Sequence, residues 1–318
     1  MFGELPKLLD RNYVVGFFLP AALLGGFGWW VLGLYGLAPE LKLATETDTI
    51  VKGSLAVALV WLISILLMAL NFAFYRMLEG YDASPLKPLL PLARRRFAKG
   101  PRIALERQAA YEAAKAAGVK AATPPPPEHA AQLYRAVEEY PDDLRWVLPT
   151  RFGNRMRAAE VYPRAVYGID TVPLWPRLQG LLAPEFRDLM NSSKAQLDFC
   201  VNMTAGGALG TLFCLVLAAV ESRLPSYAPG AVAVAAMPLG YALCVQASGP
   251  YCRYLRAAFD LHREPLARQL GLAVPATSGE EREMWMLVSK MLIYRSARRF
   301  DELAPYRRTG EAKAGPKA

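Results

Sequence analysis

Cationic and aromatic residues are concentrated in one polar stretch, 148–178, and their types suit the binding of an anion. The residues are Arg151, Arg155, Arg157, Arg177, Tyr167 and Trp175, with Asn154 among them. A guanidinium binds phosphate or carboxylate through two parallel hydrogen bonds, and aromatic faces attract cationic or planar groups. One hypothesis is therefore that the stretch forms a pocket for an anionic ligand or a protein partner.

The alternative hypothesis is that the same side chains hold the stretch together. Thr150 could cap a helix that starts at Arg151, and each cation in the first turns of a helix is unfavourable by roughly a few tenths of a kcal/mol. The arginines therefore require partners, and Glu160 and Asp170 are the internal candidates. In that case Trp175 would pack against the membrane-proximal helices. The sequence leaves both hypotheses open.

A second basic cluster consists of Arg94, Arg95 and Arg96 and follows the second apolar run of the chain. Basic residues beside a membrane span attract anionic lipid by about 1 kcal/mol each. They also determine the orientation of the span. We expect the cluster to serve one of these two purposes.

The chain offers little for catalysis. It has two histidines, and the spacing of its four cysteines matches no zinc motif. No glycine-rich phosphate loop and no Ser-His-Asp order occurs. The apolar runs contain no Asp, Glu, Lys, Arg or His, with Lys52, Asp198 and Glu221 only at their edges, which argues against a pump or secondary transporter. We predict a non-enzymatic protein without a cofactor or a metal site.

Four apolar runs must position these polar segments. The run 53–75 has 23 residues without a charge. As a helix it would rise about 34 Å, enough to cross a hydrocarbon core of about 30 Å. The other runs cover about 13–37, 199–220 and 230–248. Backbone groups in lipid must be bonded within the segment, so the sequence predicts an all-α protein with four membrane spans.

The spans divide the chain into five predicted parts. These are an N-terminal transmembrane hairpin (1–75), a basic helical insertion (76–198), a second transmembrane hairpin (199–250), a helical tail (251–305) and a disordered end (306–318). Residues 76–195 and 251–318 carry 19 and 13 of the 37 lysines and arginines. By the positive-inside rule, the insertion, the tail and both termini are expected in the cytosol.

Small and polar residues within the spans suggest helix packing. Gly206 and Gly210 are spaced for close helix approach, within the chain or between copies. The polar residues are Ser54, Ser64, Asn71, Asn202, Thr204, Thr211, Gln246 and Ser248. They could bridge helices, or an oligomer could turn them towards a shared pore that gates by dewetting. Nucleic acid is not expected as a partner, because aromatic and basic residues do not alternate as a single-strand groove requires.

Three blocks carry a resemblance: DRNYVVGFFLPA, LNFAFYRMLEGY and LPTRFGNRMRAAEVYPRAVYGIDTVPLWPRL. With them the chain resembles an uncharacterised family of bacterial four-span membrane proteins, which has a juxtamembrane LEGY and a GN-x-x-RAAE…YG-x-D…WPRL block. The resemblance covers nearly the whole chain except the proline-rich insertion and the tail. It implies a bacterial cytoplasmic membrane but no activity. The positions of interest are Gly153, Asn154, Arg157, Glu160, Tyr167, Gly168, Asp170, Trp175 and Arg177.

These observations lead to two functional expectations. The first is a homo-oligomeric multi-pass protein of the lipid bilayer that couples a cytosolic cue to the membrane, as a channel or a membrane-disrupting effector. The second is a membrane scaffold or anchor that recruits a cytosolic protein through the stretch 148–178 and the C-terminal helix. Dye leakage from liposomes would separate the two.

Overall fold

The structure is a computed structural model that describes residues 10–37, 46–81, 84–118, 127–221, 228–295 and 301–308. In these ranges the regular elements are helices, and the one isolated bridge joins Leu272 and Arg307. The predicted all-α class is therefore confirmed for the described residues. Most of the predicted disordered end, from 309 onward, lies outside them.

The helices are short in the middle of the chain and long at the apolar runs. They are α1 Arg11–Leu34, α2 Glu46–Glu79, α3 Leu90–Lys99, α4 Pro101–Ala116, α5 Pro127–Glu139, α6 Arg151–Tyr167, α7 Thr171–Gln179, α8 Pro184–Val220, α9 Ala228–Gln269 and α10 Ser278–Tyr294. Within α1, the residues Val14–Phe18 form a π-helical turn. Short 3₁₀ turns occur at Lys87–Leu89, Leu144–Trp146 and Ala304–Tyr306.

Helices α1, α2, α8 and α9 are each long and apolar enough to cross a membrane. This confirms the prediction of four such helices. On α2, Leu55 and Phe72 are 70% and 74% exposed. Exposure of large apolar side chains along a helix is costly in water but not in hydrocarbon. The four helices are therefore compatible with a multi-pass membrane protein.

Two of these helices continue well past their apolar runs. The third apolar run begins near 199, whereas α8 begins at Pro184, and the fourth ends near 248, whereas α9 ends at Gln269. The flanking residues include Ala, Leu, Arg and Glu, which favour a helix as strongly as the apolar residues do. Hydropathy marks where a lipid-facing segment changes to a polar one, and it does not mark where a helix ends.

The chain forms two compact units. Unit 1 comprises Met1–Pro88, Thr150–Phe152 and Asn191–Tyr251. Unit 2 comprises Leu89–Pro149, Gly153–Met190 and Cys252–Ala318. Helices α8 and α9 contribute residues to both units.

Unit 1 is held together by close approach of its apolar helices at glycines. A Cβ atom added to Gly206 would lie 2.5 Å from Cδ2 of Leu24, and one added to Gly210 would lie 3.0 Å from Cε1 of Phe27. Both glycines of α8 therefore pack against α1 of the same chain. Of the two alternatives for the predicted helix-packing pair, the structure shows packing within the chain.

Unit 2 buries large side chains on α3, α9 and α10, where Phe97, Phe259 and Trp285 are fully buried. Helix α10 begins at a Thr277 cap, whose hydroxyl accepts a hydrogen bond from the Glu280 backbone N–H. Gly168 lies between α6 and α7 with a φ of +80°, and a Cβ there would lie 2.6 Å from the carbonyl oxygen of Arg282. This position therefore requires glycine both for its backbone angle and for the closeness of α10.

Candidate functional site

Asn154, a predicted site residue, makes a buried structural contact at the start of α6. Its Oδ1 accepts a hydrogen bond from the Leu148 backbone N–H at 2.7 Å, and its Nδ2 donates to the Leu148 carbonyl at 2.8 Å. The residue is 2% exposed. Both ends of the amide are thus engaged, and Asn154 holds the chain that enters α6 in place.

Two of the predicted arginines form ion pairs inside unit 2. Arg155 pairs with Glu139 at 3.2 Å, and Arg157 pairs with Glu160 at 3.2 Å. The Arg157 guanidinium also lies 5.2 Å from the centre of the Trp146 ring. Glu160 is one of the two internal partners that the sequence indicated, whereas Glu139 was not considered.

The other two predicted arginines are exposed. Arg177 donates a hydrogen bond at 2.6 Å to the carbonyl of Pro173, one turn earlier in α7. Arg151 begins α6 in unit 1, where its backbone N–H donates to the Tyr241 hydroxyl at 3.1 Å. The predicted arginines of unit 2 therefore contact separate groups and are not gathered around one anion.

Asp170 directly precedes α7 and is its N-cap residue. Its Oδ1 accepts a hydrogen bond from the Val172 backbone N–H at 3.2 Å, and its own backbone N–H donates to the Ser289 hydroxyl at 2.9 Å. The arginine closest to its carboxylate is Arg164, at 4.0 Å. Asp170 thus joins α7 to α10 and is not paired with Arg151, Arg155 or Arg157 as the clasp hypothesis assumed.

The predicted aromatic residues both pack on α9. The Tyr167 hydroxyl donates to the Asp260 carboxylate at 2.9 Å, and the Arg263 guanidinium lies 4.8 Å from the Tyr167 ring centre. The Trp175 ring packs against Phe259 with the ring centres 6.0 Å apart. Tyr167 and Trp175 therefore belong to the packing of unit 2.

One charged face of α9 organises this packing, and the sequence analysis missed it. Arg256, Asp260 and Arg263 follow one another at the spacing of one helix face. Arg256 pairs with Glu138 at 2.9 Å, and Arg263 pairs with Glu281 at 3.0 Å. The spacing of these three charges just after an apolar run was the available signal, although it does not identify their partners.

The phenols of Tyr162 and Tyr167 share the Asp260 carboxylate. Tyr162 donates to the same oxygen at 3.0 Å. Burial, together with the charge and the hydrogen bonds of Asp260, raises the pKa of both phenols above the ordinary value of a tyrosine. The neutral phenols are therefore the form that the fold stabilises.

The basic cluster Arg94, Arg95 and Arg96 lies on α3, and all three side chains are exposed. None of them forms an ion pair with a described residue. The helix is attached to unit 2 by Phe97, which is 1% exposed and whose ring centre lies 5.6 Å from that of Tyr140.

A polar cluster in unit 1 is the other site that the sequence analysis missed. Asp198 lies on α8 with its side chain 7% exposed. Its carboxylate accepts hydrogen bonds from Asn71 at 3.1 Å and Tyr75 at 2.9 Å, both on α2. The ammonium of Lys194, one turn earlier on α8, contacts both carboxylate oxygens at 2.8 and 2.9 Å. We call these four residues the Asp198 cluster.

The π-helical turn of α1 lies against this cluster. A Cβ atom added to Gly16 would lie 3.3 Å from Cβ of Asp198. Asn202, one turn after Asp198 on α8, donates to the Gly16 carbonyl at 2.8 Å. Isolated π-helical turns occur frequently at functional sites. Three apolar helices, α1, α2 and α8, therefore meet at one group of polar side chains.

Two amide oxygens beside the carboxylate retain acceptor capacity. Asn71 Oδ1 and Asn202 Oδ1 are buried, and neither has a hydrogen-bond partner among the described residues. The amide nitrogen of Asn71 donates to the Asp198 carboxylate, and that of Asn202 donates to the Gly16 carbonyl. These two hydrogen bonds fix which end of each amide is the nitrogen and which is the oxygen.

Asp198 was placed correctly at the edge of an apolar run but was not expected to be buried. Its burial follows from α8 extending beyond the run, so that the carboxylate packs against Asn71 and Tyr75 of α2. The sequence signals were Asp198 with Lys194 four residues earlier, and Asn71 with Tyr75 four residues later. Taken alone, each pair is typical of the exposed surface of a helix. Only the packing of α2 against α8 brings the two pairs together.

Among the described residues, no group of three or more His, Cys, Asp or Glu side chains is arranged to hold a metal ion. No protein family matches the chain, and neither a curated protein nor a solved structure matches it.

Proposed function

We propose that the protein is a non-enzymatic multi-pass protein of a bacterial cytoplasmic membrane that couples a cytosolic cue to the bilayer. In this proposal the insertion between α2 and α8, the tail after α9 and both termini are cytosolic. The positive-inside rule supports that orientation, because 76–195 and 251–318 hold most of the basic residues.

The observation that carries the proposal is the burial of Asp198 among apolar helices. A buried charge is costly unless it is paired and hydrogen-bonded, and ionisable residues inside a membrane bundle mark functional sites. The Asp198 carboxylate is held by donors on two helices, and its counter-ion, Lys194, is 42% exposed. A cue that draws the Lys194 ammonium away would leave a buried charge, and the packing of α2 against α8 would then have to change.

A flux assay tests this proposal directly. The purified protein is reconstituted into liposomes that contain a self-quenching dye, and efflux is compared for the native chain, Lys194→Gln and Lys290→Gln. Lys290 is an exposed lysine of α10 and serves as the matched control. We expect efflux from the native protein, altered at least severalfold by Lys194→Gln and unchanged by Lys290→Gln. Liposomes that stay sealed with all three proteins would contradict the coupling function.

Homo-oligomerisation remains part of the proposal, with a restriction on where copies can associate. Gly206 and Gly210 are occupied by Leu24 and Phe27 of the same chain, so they are not available to a second copy. Association must use another face, and the exposed apolar side of α2, which includes Leu55, Leu62 and Phe72, is a candidate. The subunit number can be measured by stepwise photobleaching of labelled protein in nanodiscs.

A membrane scaffold that recruits a cytosolic partner is the second candidate. It is favoured by the bonding of 148–178, because Asn154, Arg155, Arg157 and Tyr167 are all engaged within unit 2. Side chains held in this way present a fixed outer surface to a partner. Sealed liposomes in the flux assay, together with normal folding of every variant, would favour the scaffold.

A further inference from the structure

One face of helix α3 packs against the rest of unit 2. Phe97 on this face is 1% exposed and packs on the ring of Tyr140. Leu90 and Ala93, which precede Phe97 by seven and four residues, are half-buried. The spacing i, i+3 or i+4, i+7 places all three on one side of the helix. This side is therefore committed to the core of unit 2.

A second face of α3 combines exposed leucines with cations. Leu89 and Leu92 are 46% and 48% exposed. Leu92, Arg95, Arg96 and Lys99 lie at i, i+3, i+4 and i+7 and so share one stripe, with Leu89 one turn earlier in the preceding 3₁₀ turn. Arg94 lies outside this stripe, roughly 160° from Leu92 at 100° per residue. We call Leu89, Leu92, Arg95, Arg96 and Lys99 the interfacial face.

The charge of this segment has one sign. No acidic residue occurs between Asp82 and Glu106, whereas six lysines and arginines do. Arg94, Arg95 and Arg96 make no ion pair with a described residue. Two exposed leucines bordered by unpaired cations match an anionic lipid surface, which accepts apolar side chains below its phosphates and attracts each cation above them.

The chain also restricts where α3 can lie. Nine residues, 80–88, lie between Glu79, the end of α2, and Leu89, so the two are ten positions apart. Even fully extended, a segment of that length covers no more than about 36 Å. Since α2 is long and apolar enough to cross a membrane, a connection of this length lets α3 reach the lipid surface at which that helix would emerge.

We propose that α3 binds the surface of the anionic membrane in which the protein resides, with the interfacial face towards the lipid. Leu89 and Leu92 enter the headgroup region, and Arg95, Arg96 and Lys99 contact lipid phosphates. This inference requires a membrane location but not the proposed coupling function, so the two fail independently.

The experiment uses the full chain in nanodiscs with an environment-sensitive fluorescent amino acid at position 92. Discs of neutral phosphatidylcholine are compared with discs that contain one quarter phosphatidylglycerol. We expect a blue-shifted emission in the anionic discs that is quenched by brominated lipid tails and lost at high salt. Each of Arg95→Gln and Arg96→Gln should lower the docked-to-undocked ratio about fivefold.

Arg94→Gln is the matched control. It removes the same charge from the same helix, but from the side of α3 opposite the interfacial face. It should leave the docked-to-undocked ratio within a factor of two. The three arginine variants and the parent chain with the fluorescent residue all keep the buried Phe97. Equal melting temperatures would show that they fold alike. Water-like emission in anionic discs would overturn the inference, as would an equal effect of Arg94→Gln and Arg95→Gln. Cross-linking between copies through position 92 would overturn it too, since it would identify a second chain as the occupant.

Discussion

The hydroxyl of Tyr75 donates a hydrogen bond of 2.9 Å to the carboxylate of Asp198. The two residues are 123 positions apart, on α2 and α8, and both helices are apolar over most of their length. A hydrogen bond to a charged acceptor in such surroundings contributes more than one at a wet surface, because no water competes for it. This bond, with that from Asn71, connects the two helices beside a buried carboxylate of unit 1.

Removal of the Tyr75 hydroxyl should therefore weaken unit 1. We expect Tyr75→Phe to lower the free energy of unfolding by about 1.5–3 kcal/mol, the usual contribution of a hydrogen bond to a charged group. Thermal unfolding in mild detergent measures the change. In a double-mutant cycle, Tyr75→Phe should cost little once Asp198→Leu, which has no acceptor, is present. An additive cycle would mean that the two side chains do not interact.

The glycine packing between α8 and α1 gives a second prediction. Gly206→Ala should destabilise the protein by about 1–3 kcal/mol, because its Cβ would lie 2.5 Å from Leu24 Cδ2 and the Leu24 side chain would have to leave its packed position. Gly26→Ala on α1 is the control, since a Cβ there meets nothing within 4 Å. The control should be neutral or stabilising by about 0.5–1 kcal/mol through its effect on helix entropy. Equal melting temperatures for the two variants would contradict the close approach.

The buried ion pair between Arg256 and Glu138 in unit 2 gives a third prediction. The side chains of Arg256 and Glu138 are 9% and 11% exposed, so Arg256→Met leaves a buried carboxylate without its partner and should cost about 3–5 kcal/mol. Replacing both residues, as Arg256→Met with Glu138→Leu, should cost less than the single change. In the exposed pair Arg102–Glu106, the variant Arg102→Met should cost no more than about 1 kcal/mol. Proteolysis of unit 2 at increasing temperature ranks the four proteins.

The shared carboxylate of Asp260 predicts a dependence on alkaline pH. The pKa of Tyr162 and the pKa of Tyr167 are raised in the folded state, chiefly by burial and then by Asp260. The folded protein therefore retains two protons that the unfolded chain releases near pH 10. Stability from these phenols is fully present below pH 10 and is lost as the pH rises towards their folded-state pKa values.

Unfolding midpoints between pH 8 and pH 12 test this dependence. The double variant Tyr162→Phe with Tyr167→Phe cannot titrate at these positions. Its midpoint should fall less steeply above pH 10 than that of the native chain, although it starts from a lower value because two hydrogen bonds are missing. Parallel curves for the two proteins would show that these phenols ionise as freely in the folded state as in the unfolded one.

Local patterns were sufficient for some features of the site. Glu160 was identified as a partner of the arginine cluster, and Arg157 does pair with it, because the two residues are three apart on one helix. Gly206 and Gly210 were identified as packing positions by their spacing alone. In both cases the geometry of a single helix places the relevant atoms.

Other features depended on partners far along the chain. Arg155 bonds Glu139, Arg256 bonds Glu138 and Asp198 bonds Tyr75. An acidic residue next to a helix looks the same in sequence whether water or an arginine from another helix faces it. Burial could not be inferred for these residues because it is a property of the assembled helices.

The amino-acid sequence by itself determined that the chain has four apolar helices and where its cations are concentrated. Both follow from side-chain chemistry and from helical periodicity, which act over a few neighbouring residues. Only the tertiary structure decided that Asp198 is buried, that Arg155 and Arg157 bond within unit 2 and that Phe97 of α3 is buried while Leu92 is exposed. These outcomes depend on which helices pack together, since packing decides which polar groups lose water and must find a partner in the protein.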